Sequence, residues 1–470
     1  MPGISHGWGW RSCPHSPRLN RLELFSSVEI TYVPRIDSLA AQAAATAFAL
    51  AGGVVLGPVV GRGPLEAPVA DVVINVRPAL LREWRLGLGL GIEPQRNDAH
   101  LRVTHTRRNF LGGQRRLRLS LEAGWVVMPG IWAPDRNGPA GTLEAELRQP
   151  LWTGAEAGLT VGADLGVEYA YSFGGPRAQA LFSQIAWRER VRLALSYNFQ
   201  LLEVFGATAD VLNDPAQARG LYGYTNPFRI GWWQQDLALD LRDRPLDPHR
   251  GLWIGLGAEE GGAWAGGAFE YQKLLPEVRF YIDPVSRLVI AARAQFGQIF
   301  VQGDRASPIT RRLYLGGAGS HRGFSYNRLA PQVPSSATDP TATRIPVGGD
   351  QMLLVSLEAR VDVVAIGQQL LSLVAFVDGG DVAAAACQTS GGCLVSSGAS
   401  RALRTIDVTQ LHWAVGGGVR LKTSIGTLRI DVGVRLNRKN AVANADGTTG
   451  APEPDPGSWG AFHLSIGEAF

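Results

Sequence analysis

From Leu81 onward the chain alternates apolar and polar residues with period two. In WRLGLGLGIE, residues 84–93, Trp84, Leu86, Leu88, Leu90 and Ile92 share one face, while Arg85, Gly87, Gly89, Gly91 and Glu93 share the other. RRLRLSLEA, residues 115–123, sets Leu117, Leu119 and Leu121 against Arg116, Arg118, Ser120 and Glu122. LRIDVGVRLN, residues 428–437, repeats the rule with Leu428, Ile430, Val432, Val434 and Leu436 against Arg429, Asp431, Gly433 and Arg435. About sixteen such strands are predicted, near 83–93, 98–109, 114–126, 140–149, 157–172, 178–188, 190–206, 233–242, 250–260, 264–281, 287–299, 350–363, 369–379, 410–424, 426–437 and 459–470. Turn residues separate them, among them Asn109 with Gly112-Gly113 and Asp247-Pro248 with Gly251. Two long insertions, 300–350 and 380–409, interrupt the series.

A soluble sandwich also alternates, but this much aliphatic area would need an unusually large one. A transmembrane barrel accounts for the same pattern with the faces reversed. Aliphatic side chains meet lipid, Arg, Asp, Glu and Gly surround a hydrated lumen, and closure satisfies the backbone in hydrocarbon. The expected fold is therefore all-β: a sixteen-stranded antiparallel transmembrane barrel over residues 81–470, preceded by a small α/β remnant at 21–78. In the final WGAFHLSIGEAF, Phe462, Leu464, Ile466 and Phe470 share a parity suited to a last strand that meets the first.

Composition agrees with this reading. Hydrophobic residues make up 45% and charged residues 18%, with 58 Gly and 13 Trp, yet no run beyond residue 80 is a spanning helix. The net charge of +4 is modest and the arginines are interleaved with aliphatics, which disfavours nucleic acid as a partner. Residues 1–20 lack the pattern of a signal peptide. The tract 40–60, broken by Gly52, Gly53 and Gly57, reads as a buried helix or irregular insertion rather than a membrane span. Segments 24–33 and 70–78 bring strands to the small N-terminal unit. Cys387 and Cys393 bracket a short polar loop, and their spacing allows a disulfide, with Cys13 left over.

Candidate chemistry is sparse, and neither catalysis nor a cofactor is expected. Ser320 adjoins His321 without a Gly-x-Ser-x-Gly elbow, GLGLG lies inside a periodic strand, and His105, His249, His412 and His463 lack metal-site spacing.

The ordered motifs are more specific. Arg322, Gly323 and Phe324 follow YLGGAGS between the expected eleventh and twelfth strands. GDQMLLVSLEAR carries Gly349 and Glu358, and FVDGG carries Phe376, Asp378 and Gly379. RDRPLDPHRG precedes them; Gly416, Gly418 and Arg420, then GTLRIDVG and the IGEAF ending, follow. In this order they resemble the BamA/TamA superfamily of outer-membrane assembly and secretion proteins, the bacterial surface antigen family. Residues 21–78 resemble part of a periplasmic polypeptide-transport-associated domain.

The resemblance implies a bacterial outer-membrane barrel whose sixth external loop folds into the lumen and carries an Arg-Gly-Phe tip. On physical grounds, the Arg322 guanidinium suits charge-assisted bonds to Asp378 or Glu358, Gly323 suits a close approach or a left-handed turn, and Phe324 suits a wedge that excludes water. The resemblance further implies a weak seam between first and last strands, here marked by Gly87, Gly89, Gly91, Gly460, Gly467 and Phe470. Outer-membrane lipids, client outer-membrane or secreted polypeptides and a periplasmic or inner-membrane assembly partner are the implied partners. Insertion or translocation of β-rich clients is the leading function. A two-partner-type secretion pore and a purely structural surface-antigen barrel are the alternatives.

Overall fold

The computed structural model describes residues 25–34, 70–93, 96–128, 136–151, 154–169, 171–206, 227–245, 247–285, 287–302, 307–334, 344–366, 369–384, 408–423, 426–437 and 459–466, with residues 134 and 406. Two antiparallel strands come first, β1 (Phe25–Pro34) and β2 (Ala70–Pro78), in register from Val28 opposite Val76 to Pro34 opposite Ala70. Their Val, Ile, Thr and Tyr content suits a pleated surface. The tract 40–60 lies outside the described residues, so the described part of this unit is β alone.

Sixteen antiparallel strands close the barrel. They begin with β3 (Arg82–Glu93), β4 (Arg96–Arg108), β5 (Arg116–Met128), β6 (Arg136–Pro150), β7 (Ala155–Val167), β8 (Ser172–Ala186) and β9 (Val191–Phe205). They continue through β10 (Phe228–Asp240), β11 (Gly251–Gly261), β12 (Glu270–Val285) and β13 (Leu288–Gln302). A long insertion follows, containing the two short paired strands β14 (Gln332–Pro334) and β15 (Arg344–Pro346). The wall resumes with β16 (Gly349–Ile366), β17 (Gln369–Ala384), β18 (His412–Thr423), β19 (Gly426–Arg435) and β20 (Gly460–Ile466). Each wall strand pairs with the next, and β20 returns to β3.

The alternation fixes which way side chains point. On β16, Leu357 and Val361 are exposed on the outer face, whereas Ser356 and Glu358 are buried inside. Three local expectations differ from the structure. The break expected between 172 and 178 is continuous strand, because Gly175 at φ +156° lets β9 approach: a Cβ there would lie 1.9 Å from the Leu201 carbonyl oxygen. β10 starts at Phe228 rather than near 233, and β12 starts at Glu270 after a short 3-10 turn at Ala263–Ala265, where strand was expected from 264.

The lumen is not uniformly wet. Ile309, Leu313, Leu315, Phe324 and Leu329 of the insertion pack against Leu202, Ile230, Phe269, Ile299, Met352 and Leu354 of the inner wall. Burying each such side chain stabilises by about 1.5–3 kcal/mol, so the loop and one side of the wall form the core. Beside this core, and bordered by Leu202 and Ile309, a cavity of about 580 Å³ remains, lined by charged groups such as Arg96, Asp98 and Asp164 together with Tyr169 and Tyr326.

Candidate functional site

The insertion carries Arg322 to the inner faces of β16 and β17, where alternate residues point inward. Its Nε and Nη2 donate to Asp378 Oδ2 and Oδ1, both at 2.8 Å, and Nη1 donates to Glu358. The Arg322 backbone N–H donates to the same Asp378 at 2.9 Å. Ser356 Oγ accepts from Nη2 at 3.1 Å and donates to Asp378 at 2.6 Å. The Phe376 ring lies 3.6 Å from the guanidinium carbon, so a π face covers the side that hydrogen bonds leave open. Burial opposes the Arg322 charge, but Asp378 and Glu358 outweigh it and raise its pKa above the ordinary value.

Further charges surround this pair. Glu358 also receives Arg360 Nε at 2.6 Å and has Arg420 at 3.8 Å. Arg420 and Arg429 both reach Asp431, at 2.7 and 2.9 Å. Gly323 sits where the backbone meets the wall: a Cβ there would come within 2.5 Å of the Ala414 Cβ. Phe324 is buried, edge-on to His321 and His412 at 5.2 and 5.6 Å, and Arg435 lies over its ring at 3.8 Å.

The wall also binds the backbone of the tip. Arg293 Nη1 donates to Gly319 O at 2.8 Å, Arg429 Nη2 to Ala318 O at 3.1 Å, Arg435 Nε to Gly323 O at 2.9 Å, and His463 Nε2 to Arg322 O at 3.1 Å. These donors come from β13, β19 and β20, and among them Arg429 alone lies in one of the ordered motifs, GTLRIDVG. Alternation marks Arg429 and Arg435 as inward, but only the register places them at the height of the loop. At the base of the insertion, Arg312 joins its two feet by donating to Ser307 O at 3.2 Å and Val347 O at 3.2 Å. Lys273 Nζ donates to Arg311 O at 3.1 Å, and Arg311 pairs with Glu259.

His321 is fully buried, and burial pushes its imidazole down to about 4. Its Nε2 lies 2.9 Å from His412 O and its Nδ1 3.3 Å from Gly323 N, which suits the neutral form with the proton on Nε2. Because the folded pKa is depressed, the unfolded chain takes up the proton first as pH falls. The stability is therefore complete above about 6.5 and is lost on acidification towards 4, by up to about 3 kcal/mol. Denaturant midpoints in lipid vesicles should show this loss between pH 6.5 and 4, and His321→Gln should flatten it. A profile unchanged by that substitution would contradict the assignment.

The barrel closes at β3 and β20. Among the described residues, β20 meets β3 at one pair, Leu464 with Ile92, whereas β19 and β20 pair over seven residues from Val434–Gly460 to Leu428–Ile466. Leu86, Leu88 and Leu90 of β3 are 74, 85 and 70% exposed, against 44 and 49% for Leu119 and Leu121 of β5. The first strand thus has less lateral cover than an ordinary wall strand. Cβ atoms on Gly89 and Gly91 would fall 2.2 Å from the His100 ring and 2.3 Å from Asp98 Oδ1, while Gly87 meets nothing closer than 4.0 Å. The crowding these glycines relieve comes from β4, not from the loop. A Cβ on Gly460 would lie 1.9 Å from Gly433 O. Gly467, Phe470, Cys387 and Cys393 lie outside the described residues.

Ser320 Oγ bonds the backbone of Gly316, accepting from its N–H and donating to its carbonyl at 2.9 Å each, rather than His321. Among the described residues, no group of His, Cys, Asp or Glu is arranged to hold a metal ion.

Residues 85–470 match the Omp85 superfamily domain. The outer membrane protein assembly factor BamA of Nitratidesulfovibrio vulgaris is 29% identical over 119 residues, 25% of this chain and 14% of that protein, so the match spans only a small part of this relative. Among solved structures, BamA from Haemophilus ducreyi lacking POTRA domains 1-3 superposes with a TM-score of 0.62 at 15% identity, covering 90% of this chain and 74% of that one. CdiB from Acinetobacter baumannii gives 0.51 at 12% identity, covering 95% and 67%. These two likenesses concern the fold. The chain belongs to the Omp85 superfamily and is an outer-membrane barrel whose N-terminal extension is expected to lie in the periplasm.

Proposed function

We propose that this chain inserts or translocates β-rich client polypeptides at the outer membrane through the seam between β3 and β20. The observation that carries the reading is the closure itself: one strand pair among the described residues, Leu464 with Ile92, beside a seven-residue ladder on the other edge of β20. Unpaired backbone groups facing hydrocarbon cost several kcal/mol each, so a seam strand gains from pairing with an incoming strand. Client strands can therefore add to β3 or β20 by β-augmentation. Arg322, Gly323 and Phe324, held by Glu358 and Asp378, serve as a latch that keeps the loop inside while the seam works. A route through the lumen would require those buried contacts to break, whereas the seam does not. Residues 21–78 act as part of a periplasmic polypeptide-transport-associated domain that meets clients or an assembly partner.

The test is a reversible lock. Ile92→Cys with Leu464→Cys, in a background where Cys13, Cys387 and Cys393 are serine, joins the two strands on oxidation. Insertion of a small unfolded outer-membrane barrel into vesicles holding the locked protein should fall to the protein-free level and return on reduction. Insertion at the unlocked rate with cross-linking complete would sink the seam reading.

A further inference from the structure

We propose that the inner loop is also a strap across the seam, and that Arg96 and Tyr326 form its releasable end. This rests on the seam reading and adds the element that controls it. On one side of the seam, His463 of β20 donates to Arg322 O at 3.1 Å and Arg435 of β19 donates to Gly323 O at 2.9 Å. On the other side, the Arg96 guanidinium of β4 lies over the Tyr326 ring, 5.0 Å from its centroid. Arg96 is held in place by Val167 O at 3.2 Å and by Glu168 at 3.8 Å. His463 is the neighbour of Leu464, and Arg96 opens β4 four residues after Ile92 in the chain. The loop from Arg322 to Tyr326 therefore passes behind the pair that closes the barrel.

The glycine stretch of β3 offers the loop no side chain to grip. Between Gly87 and Gly91 the inner face of β3 is glycine, and the His100 and Asp98 side chains of β4 occupy the space beside Gly89 and Gly91. Nothing on that stretch of β3 can hold a side chain of the loop, and among the described residues Arg96 grips it on the N-terminal side.

The two ends differ in strength. The β19–β20 end is continuous with the buried Arg322, Glu358 and Asp378 contacts, while the β4 end includes a cation–π stack beside the cavity lined by Arg96, Asp98 and Asp164. Opening therefore begins with release of Tyr326 from Arg96, which frees β3 and β4 to move away from β20 while the tip stays docked.

Spin labels on cysteines replacing the outward-facing Leu88 and Phe462, in the serine background, report the β3–β20 separation without any client. In vesicles, Tyr326→Leu and Arg96→Gln should each raise the population of long separations roughly threefold or more, the scale of one cation–π contact. Tyr326→Phe keeps the ring beneath Arg96 and should stay well below Tyr326→Leu, and the double variant should exceed neither single. Heat-dependent gel mobility establishes that each variant is folded. Unchanged separations in folded Arg96→Gln and Tyr326→Leu overturn the strap, and so does a Tyr326→Phe chain as open as Tyr326→Leu. If Tyr326→Leu does not fold, Arg96→Gln with Tyr326→Phe decides on the same criteria. Failure here leaves the disulfide test standing, whereas a locked seam that still inserts clients removes the seam reading without changing these distances.

Discussion

Arg322→Ala is expected to destabilise the folded barrel by about 3–5 kcal/mol and to free the insertion, because it strands a buried carboxylate. Glu358 would keep Arg360 at 2.6 Å and Arg420 at 3.8 Å, so it remains compensated. Asp378 would lose two guanidinium bonds of 2.8 Å and keep only the short Ser356 hydroxyl bond and the Arg322 backbone N–H. The cost falls on Asp378, and that assignment can be tested. Adding Asp378→Asn to Arg322→Ala removes the stranded charge and should recover part of the loss, although either change alone is harmful. Denaturant midpoints in lipid vesicles measure the stability, and protease cleavage within 303–348 reports the freed loop. Wild-type midpoints for Arg322→Ala, or a double variant less stable than that single, would refute the account. Arg322→Lys should behave nearly as badly as alanine, since a point ammonium cannot span both carboxylates and cover Phe376.

The barrel was legible because a strand wall in lipid has one repeating rule. Leu86, Leu88 and Leu90 alternate with glycine, and Leu428 through Leu436 alternates with Arg and Asp, so each strand announces its outer face. The rule fails where a second apolar surface exists inside. Phe228, Ile230 and Trp232 point inward against the loop, giving the start of β10 an apolar inner face that hides the expected contrast. The break expected between 172 and 178 hides a second case: Gly175 serves a close approach of β8 to β9 within a continuous strand.

For the site, the motif residues were legible because their order resembles that of the BamA/TamA superfamily, and a guanidinium suits the carboxylates at inward positions. The donors to the tip's carbonyls were not. Arg293, Arg435 and His463 become loop contacts only once strand register sets their height along the barrel, and that register depends on pairing between distant segments. The grip of Arg96 on Tyr326 is hidden for the same reason, since its two residues are joined by the path of the insertion rather than by any local pattern.

Glu358→Gln should be at least as damaging as Arg322→Ala, because it leaves like charges facing one another. Among the described residues, the ion pairs around Arg322 join four guanidinium groups, Arg322, Arg360, Arg420 and Arg429, to three carboxylates, Glu358, Asp378 and Asp431, for a sum of 4 − 3 = +1. Removing Glu358 raises the sum to +2, and three arginines lose their shared acceptor. At an effective dielectric constant of about 20, each attraction across about 4 Å amounts to about 4 kcal/mol before desolvation is counted. Breaking such a buried group is expected to cost about 3–5 kcal/mol. The Arg322→Ala, Glu358→Gln double variant returns the sum to +1, so its loss should fall well short of the two single losses added together. Vesicle unfolding of the four chains supplies the cycle. Strict additivity would show that Arg322 and Glu358 act independently, and the charge cluster would then not be what holds the loop inside the barrel.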